Sequence, residues 1–213
     1  MIVAVANTKG GVGKTSLALN LSIARRMEGR DVLLIDADPQ QSSLDAIAIR
    51  TMSKRQPAIA LSSYTDGPLL FDQVTQQKSK YEDIVIDVGG RDTGALRAAL
   101  MVADLVLVPF QPRTFDVWGV SKMAKLINEA RSMGVRNRIY GILSMADPSG
   151  KDNAEAAAAI AEIEGIEYLD TPIGRRKAIA DAAGSGLCVL EYSPSDPKAR
   201  YEIRRLVEVV YGD

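Results

Sequence analysis

The sequence predicts an α/β fold, a mostly parallel sheet with helices on both faces. Two observations support this: short apolar runs alternate with segments whose apolar residues recur at helical spacing, and the runs are continuous, as in buried parallel strands. The first pair is the run Ile2–Asn7, which ends in a glycine-rich turn, and the segment Thr15–Glu28, which stops at Gly29. Such an alternation is typical of βαβ units. We therefore predict a single domain over residues 1–213.

The remaining elements follow in the same order. Val32–Ile35 is an apolar run that ends in acidic residues, Ala154–Glu164 is rich in alanine, and Pro197–Val210 is highly charged. The other predicted strands are Ile84–Asp87, Leu105–Pro109, Ile139–Met145 and Ile166–Leu169, and the other predicted helices are Thr93–Val102 and Val117–Met133. Residues 51–68 contain two prolines and a glycine and match neither pattern, so we predict a variable connection there.

Composition excludes several classes of protein. Hydrophobic residues make up 46% and charged residues 25%, which is ordinary for a soluble globular protein. No apolar run approaches the roughly 20 residues that span a bilayer, and the first residues lack the pattern of a secretory signal. A single cysteine, Cys188, and the absence of histidine exclude an internal disulfide and a multi-cysteine metal site. We expect a cytoplasmic protein whose chemistry depends on Lys, Asp, Arg, hydroxyls and backbone amides.

The strongest motif is a phosphate-binding loop. Lys9-Gly10-Gly11-Val12-Gly13-Lys14-Thr15 follows a predicted strand and opens a predicted helix. Glycines let the backbone approach phosphate oxygens, and a helix N-terminus directs free N–H groups at them. Lys14 would reach the β- and γ-phosphates, and the Thr15 hydroxyl would bind Mg²⁺. The candidate nucleotide-binding residues are Gly10, Gly11, Val12, Gly13, Lys14, Thr15 and Ser16. A flexible glycine-rich turn is the alternative, and the order of strand, glycines, Lys-Thr and helix argues against it.

The loop departs from the ordinary P-loop in one respect. Thr8 stands where the strict pattern requires glycine, and a second lysine, Lys9, precedes the glycines. This resembles the deviant Walker A motif of the ParA/MinD family of P-loop NTPases. In that family the early lysine reaches across a dimer interface to the partner's nucleotide, so the resemblance implies a catalytic role in trans for Lys9 and an ATP-dependent homodimer. The alternative is a solvated surface lysine.

Acidic residues at two strand ends complete the motif set. Asp36 and Asp38 follow the second predicted strand, and ligand-binding residues cluster at the carboxyl ends of strands in open α/β sheets. The stretch Asp36–Gln40 resembles the Asp-x-Asp-Pro-Gln motif of ParA-like proteins. That resemblance implies that Asp38 orients or activates the attacking water and that Asp36 contacts the water shell of the metal. Capping or turn residues are the alternative.

A third carboxylate, Asp87, ends the predicted strand Ile84–Asp87 as a Walker B aspartate does. A carboxylate there suits Mg²⁺, usually through coordinated water. ParA relatives more often carry Pro-Pro where this chain has Gly89-Gly90, and we expect the two glycines to preserve a tight turn near the γ-phosphate.

The resemblance covers nearly the whole chain, and its details indicate which class within the family the chain resembles. Gly174–Tyr192 resembles the late region of small plasmid ParA proteins, and Pro172 falls where relatives contact adenine. No helix-turn-helix pattern precedes the first strand, so the resemblance is to the short ParA class without an N-terminal DNA-reading domain. A MinD-like membrane role would need a basic amphipathic terminal helix, and the last segment here is short and acidic. An iron-protein role would need cluster cysteines.

DNA binding would have to be local, because the net charge is −1. Between Thr171 and Arg205 there are seven basic residues and four acidic ones, an excess that a dimer would double. The main candidates are Arg200, Arg204 and Arg205. The alternative is a solvated helix face with ion pairs, such as those between Glu202 and neighbouring arginines.

The resemblance implies a slow, partner-stimulated ATPase that uses ATP, ADP and Mg²⁺. It would bind nonspecific double-stranded DNA of the nucleoid as a homodimer and position plasmid, chromosome or protein cargo, with a cargo-bound ParB-like protein as activator and no membrane partner. Two alternatives remain: an ATPase that acts through protein partners without DNA, and a metabolic P-loop enzyme that phosphorylates or ligates a small molecule.

Overall fold

The computed structural model describes residues 1–112, 114–148 and 151–212. These residues form one seven-stranded parallel sheet with the strand order β3-β2-β4-β1-β5-β6-β7. The strands are β1 (Ile2–Val5), β2 (Val32–Ala37), β3 (Ala60–Ser63), β4 (Asp83–Val88), β5 (Leu105–Phe110), β6 (Arg138–Ala146) and β7 (Glu167–Gly174). The helices are α1 (Lys14–Met27), α2 (Ser42–Met52), α3 (Gly67–Gln77), α4 (Gly94–Val102), α5 (Thr114–Ser132), α6 (Lys151–Ala161), α7 (Lys177–Gly184) and α8 (Pro197–Tyr211). The predicted parallel α/β fold is confirmed.

Helices cover both faces of the sheet, as predicted. Ile2 and Ala4 of β1 pack into one hydrophobic cluster, which includes buried residues of α3, α4, α5 and α6. Val3 and Val5 pack into the other, which includes buried residues of α1, α2, α7 and α8. Since alternate residues of a strand point to opposite faces, a strand buried on both sides must be apolar throughout. That requirement explains why the central strands were recognisable as continuous apolar runs.

The prediction for residues 51–68 was wrong in part, because β3 lies within that range. This strand, Ala-Leu-Ser-Ser, occupies one edge of the sheet and is only half-buried, so it carries no continuous apolar run. The glycine and proline that suggested a break instead begin α3. Asp66 caps that helix by accepting a hydrogen bond from the Leu69 amide at 3.0 Å, and Pro68 lies in its first turn, where a missing N–H costs nothing. Helices α2, α3 and α7 were not predicted either.

The sheet brings the predicted site residues together. β1 and β2 both pair with β4, and in the register of these pairs Asp36 and Val5 each lie opposite Asp87. The loop that follows β1 therefore starts beside the carboxyl ends of β2 and β4. Among the described helices, none is both long and apolar enough to cross a bilayer.

Candidate functional site

The glycine-rich loop between β1 and α1 adopts a conformation that requires glycine. Gly11 and Gly13 have φ angles of +74° and +87°, in the left-handed region that side chains disfavour. Helix α1 begins at Lys14, and Gly13 at its N-cap position provides no side chain to accept a hydrogen bond from the first amides. The N-terminal N–H groups of α1 are therefore available to an anion.

Two side chains that the sequence analysis missed hold this loop against β5. Buried Asn7 donates to the carbonyl of Pro109 at 2.7 Å and accepts from the Lys9 amide at 3.0 Å. Gln111 donates through Nε2 to the Gly11 carbonyl at 2.8 Å. An amide-bearing residue at the end of an apolar strand is the signal that could have identified Asn7.

A cleft of about 760 Å³ opens beside the loop, within the range of small-ligand sites. Its lining includes most of the predicted nucleotide-binding residues, Gly10, Gly11, Gly13, Lys14, Thr15 and Ser16, together with Asp38. Val12 is instead fully buried. Exposed Arg91, next to the Gly89-Gly90 turn, also lines the cleft, and the sequence analysis assigned it no role.

Lys14 is buried at the base of the loop. Its Nζ donates to the Lys9 carbonyl at 2.8 Å, so the ammonium lies inside the curve of the loop. Burial lowers the pKa of Lys14, and the charges of Asp87 and Asp38 oppose that shift. Lys9, whose carbonyl accepts that hydrogen bond, is half-buried. A buried ammonium with carboxylates nearby is suited to receive the negative charge of phosphate oxygens.

The two strand-end carboxylates Asp36 and Asp87 are fully buried, but their surroundings differ. Asp36 accepts from two backbone amides, Asp38 at 3.0 Å and Leu44 at 2.8 Å. Burial raises the pKa of Asp36, and these amides oppose the shift. Asp36 therefore ties the start of α2 to the end of β2.

The two carboxylate oxygens of Asp87 differ in their hydrogen bonds. Its Oδ2 accepts from the Ser43 hydroxyl at 2.8 Å, whereas Oδ1 is buried with no hydrogen-bond partner among the described residues. Burial raises the pKa of Asp87 to about 7, and the nearby Thr15 and Ser43 hydroxyls lower it by less. Ser43 was missed by the sequence analysis. An open carboxylate oxygen next to Thr15 fits a hydrated magnesium ion, which needs only one or two protein groups in addition to phosphate oxygens. No cluster of three or more acidic, histidine or cysteine side chains that could hold a metal occurs among the described residues.

The turn after β4 packs closely against both the loop and Asp38. A Cβ at Gly90 would lie 2.8 Å from the backbone N and Cα of Gly10. A Cβ at Gly89 would lie 3.3 Å from the Asp38 carboxylate, which itself accepts from the Gln40 amide at 2.9 Å. Asp38 thus lines the cleft just after β2, and the chain bends at Gly90 against the loop, where a tight turn was expected.

Pro172 does not line the phosphate cleft. It borders a second cavity of about 510 Å³, where Asp147 and Arg175 also lie. The Arg175 guanidinium is 3.8 Å from Asp147 and donates to Gln111 at 3.4 Å, so this cavity adjoins the loop through the Gln111 side chain. The assignment of Pro172 to adenine stays a prediction.

The three arginines predicted to bind DNA lie on α8, away from the cleft lining. Arg204 and Arg205 are exposed, and Arg200 is half-buried and donates to Ser195 at 3.2 Å. Glu202, the expected partner in the ion-pair alternative, pairs with Arg176, the N-cap residue of α7. Arg205 lies 3.9 Å from Glu208, a weak pairing for exposed side chains.

Comparison with known proteins places the chain among nucleotide-binding domains. Residues 3–189 match the model of the CobQ/CobB/MinD/ParA nucleotide binding domain. The chain is 30% identical over 218 residues to the maintenance of carboxysome distribution protein A of Gloeobacter kilaueensis, covering 100% of this chain and 94% of that one. It is 28% identical over 235 residues to the chromosome-partitioning ATPase Soj of Thermus thermophilus, covering 98% and 94%.

Among solved structures, apo McdA from Cyanothece superposes with a TM-score of 0.81 at 17% identity, over 98% of each chain, which shows a shared fold. The family model spans the glycine-rich loop and all three strand-end carboxylates. As the resemblance of its motifs predicts, the chain belongs to the CobQ/CobB/MinD/ParA family of nucleotide-binding domains.

Proposed function

We propose that the protein is a magnesium-dependent ATPase that works as an ATP-controlled dimer switch and positions a cargo on nonspecific DNA. The observation that carries the ATPase proposal is the grouping of buried Lys14 and buried Asp87 beside a cleft that Asp38 also lines. Relatives named for chromosome partitioning and for maintenance of carboxysome distribution support the positioning role.

In this proposal the loop amides and Lys14 bind the β- and γ-phosphates of ATP. When phosphate oxygens enter, the Lys14 ammonium exchanges its contact with the Lys9 carbonyl for a charged acceptor, which makes a stronger hydrogen bond. Asp38, half-buried at the cleft wall, orients the water that attacks the γ-phosphorus. The oxygen of that water forms the new P–O bond as the bond to ADP breaks, and both protons of the water leave with the phosphate.

Magnesium, when bound with the nucleotide, would neutralise phosphate charge. Thr15 and Asp87 are the groups proposed to hold it, with Asp36 at the edge of its water shell. The orphan Oδ1 of Asp87 supports this assignment, because a buried carboxylate oxygen without a partner is costly until a cation or its water satisfies it.

Dimer formation is proposed to depend on Lys9. This lysine lies on the loop that covers the phosphates, half-buried beside exposed Gly10 and Gly11, so a second copy that faced this cleft would approach it directly. ATP and ADP would then differ in their affinity for the dimer, and that difference is the free energy that operates the switch.

DNA binding is proposed for α8. Arg204 has no ion pair among the described residues, and Arg205 is only weakly paired. Because Glu202 is engaged by Arg176, it does not neutralise these arginines. Exposed cations on one helix could contact phosphates without reading bases, and two copies would double the contact.

Pro172 and the second cavity remain the proposed location of the adenine base of the nucleotide.

The first experiment is binding of nonspecific duplex DNA to the protein without nucleotide, with ADP, and with a slowly hydrolysed ATP analogue, at stated salt. Binding only with the analogue, weakened by salt and lost in Lys9→Ala, is expected. Charge reversal of Arg200, Arg204 and Arg205 should abolish DNA binding while nucleotide affinity is kept.

Two results would contradict parts of this proposal. Equal failure to bind DNA in every nucleotide state, with ATP binding confirmed, would leave an ATPase that acts through protein partners alone. Rapid ATP turnover that appears only with a small-molecule acceptor would indicate a metabolic enzyme. In either case Asp38→Ala should still bind ATP and should lose turnover, since Asp38 is proposed to act on water.

A further inference from the structure

Arg91 lies in the lining of the phosphate cleft and belongs to none of the sequence motifs. It is exposed, and its guanidinium makes no hydrogen bond or ion pair with another residue that the structure describes. Of the described residues that line the cleft, Lys14 and Arg91 are cationic and Asp38 alone is acidic. An arginine without a partner beside an anion-binding loop is a candidate ligand for phosphate oxygens.

The acidic groups near Arg91 leave its charge available. Its sequence neighbour Asp92 uses both carboxylate oxygens to accept from Arg97, from Nε and from Nη2 at 2.9 Å each. Asp38, the acidic residue of the cleft lining, forms no ion pair with Arg91 in the described part of the chain. A phosphate group could therefore bind the guanidinium of Arg91 without first displacing a carboxylate.

The backbone is held in place on both sides of Arg91. Before it, Gly90 packs so closely on the phosphate loop that a Cβ there would lie 2.8 Å from the backbone N of Gly10. After it, Thr93 caps α4 by accepting from the Leu96 amide at 3.2 Å. Consecutive Cα atoms are about 3.8 Å apart, so Arg91 begins one residue away from a backbone contact with the loop. Its long side chain can adjust to an anion on the loop while its backbone stays in place.

Strand order indicates which phosphate of the nucleotide lies nearest to Arg91. Arg91 follows β4 and Asp38 follows β2, and both strands lie on the same side of β1 and of the loop that follows it. Pro172, at the proposed adenine end, belongs to β7 on the other side of β1. A nucleotide that runs along the loop from the β7 side therefore extends its γ-phosphate towards β4 and β2. Arg91 lines the phosphate cleft and not the second cavity, in agreement with a position at the γ end.

We propose that the guanidinium of Arg91 binds the γ-phosphoryl oxygens of ATP and thereby makes the site prefer ATP to ADP. The inference rests on the proposed function, because it takes ATP as the ligand of the cleft. Lys14 would contact the β-phosphate as well as the γ-phosphate and so contributes to the binding of either nucleotide. Arg91 has a phosphate partner only in the triphosphate. Its planar guanidinium can donate two parallel hydrogen bonds to one phosphoryl group.

This role differs from the one proposed for Lys9. Lys9 is proposed to act on the nucleotide of a second copy, whereas Arg91 acts on the nucleotide bound by its own chain. The close contact of Gly90 with Gly10 fixes the Arg91 segment against the same loop that would hold those phosphates. The monomer then has a contact that is present with ATP and absent with ADP before a second copy binds.

The test is titration calorimetry of the full chain with ADP and with a slowly hydrolysed ATP analogue, both in the presence of Mg²⁺. In Arg91→Ala the Kd for the analogue should rise at least about tenfold, as expected for the loss of a hydrogen bond between charged groups, and the Kd for ADP should stay within about twofold. Arg91→Lys keeps the charge and loses the two parallel donors, so its Kd for the analogue should lie between those of the wild type and Arg91→Ala.

Arg136→Ala is the matched control. Arg136 is exposed and lies just before β6, at the opposite end of the strands from the cleft, so this substitution removes the same charge away from the site. Both Kd values should be unchanged in it, and equal thermal midpoints would confirm that the variants fold. Arg91→Ala is also measured in a Lys9→Ala background, where the proposed dimer is lost, and the tenfold effect should persist there.

Three results would overturn the proposal. One is an unchanged Kd for the analogue in Arg91→Ala, and another is an equal loss of affinity for ADP and for the analogue. The third is an effect that disappears in the Lys9→Ala background, which would assign Arg91 to the dimer interface. Phosphate release by the wild type is measured separately. Its absence would contradict the proposed ATPase, whereas a selective loss of analogue binding in Arg91→Ala would still support the γ-phosphate contact.

Discussion

Replacement of Gly90 by alanine tests whether the turn after β4 sets the shape of the phosphate loop. The new Cβ would lie 2.8 Å from the backbone N and Cα of Gly10 and 3.2 Å from the carbonyl carbon of Lys9. Gly90 does not have a positive φ, so alanine would meet this clash without added backbone strain. Both neighbouring groups are backbone, which cannot rotate away, and the loop or the turn must therefore shift.

The destabilisation expected from the new methyl group is smaller than the stability of a typical domain. Inserting a methyl group into a packed contact costs about 1–3 kcal/mol, which a domain with about 5–15 kcal/mol of stability tolerates. If the loop moves, its amides lose their alignment with phosphate oxygens, and each loss of about 1.4 kcal/mol raises the Kd for ATP tenfold. We expect Gly90→Ala to fold, to melt a few degrees lower, and to bind ATP roughly 10- to 100-fold more weakly by titration calorimetry.

Gly89→Ala is the matched control. Its Cβ would lie 3.3 Å from the Cγ and Oδ1 of Asp38, a side chain that can move by a few tenths of an ångström. We expect ATP affinity to be nearly unchanged and phosphate release at saturating ATP to fall about tenfold, because a displaced carboxylate no longer orients water. Wild-type ATP affinity in Gly90→Ala would refute the argument, as would an equal loss of binding in both variants.

Three further predictions concern stability and reactivity. Glu191→Ala should lower the free energy of unfolding by about 3–5 kcal/mol in urea titrations, because it leaves the buried Arg50 charge without its partner. Arg55→Ala, which removes an exposed partner of the same glutamate, should cost about 0–1 kcal/mol, and similar losses in both variants would contradict this reasoning. Burial raises the pKa of the Cys188 thiol to about 12, so a disulfide reagent should modify the unfolded chain and leave the native one unmodified at mildly alkaline pH. Gly184→Ala should stabilise the fold by about 0.4–1 kcal/mol in the same titration, since its Cβ meets no heavy atom within 4 Å, and any destabilisation would count against it.

The fold and the centre of the site were predictable because they depend on local patterns. Buried parallel strands must be apolar on both faces, and the glycines at positions 11 and 13 are required by the left-handed backbone of the loop. The sequence predicted that Asp36 and Asp87 each lie at the end of a strand, whereas their position opposite one another depends on a strand order that was not predicted.

Features that depend on contacts between distant segments were not predictable. Strand β3 is short, half-buried and at an edge, so its sequence carries no continuous apolar run. Asn7 and Gln111 are important because each reaches across to another segment, the former to Pro109 and the latter to Gly11. Nothing local marks such residues, because the partner is selected by the tertiary fold. The ion pair of Glu202 with Arg176, rather than with arginines on its own helix, is missed for the same reason.

The three carboxylates near the loop differ in their hydrogen bonds and in their exposure to the cleft. Both oxygens of Asp36 accept from backbone amides, at Asp38 and Leu44, so this residue is used to position the Asp38 segment and the start of α2. Asp87 holds Ser43 with one oxygen and keeps the other unpaired, which makes it the carboxylate best placed for a cation. Asp38 is the only one of the three with exposure to the cleft, where water can reach it. Sequence spacing alone would treat the three as equivalent acids, whereas their hydrogen bonds and exposure differ, and the separate roles proposed for Asp87 and Asp38 rest on that difference.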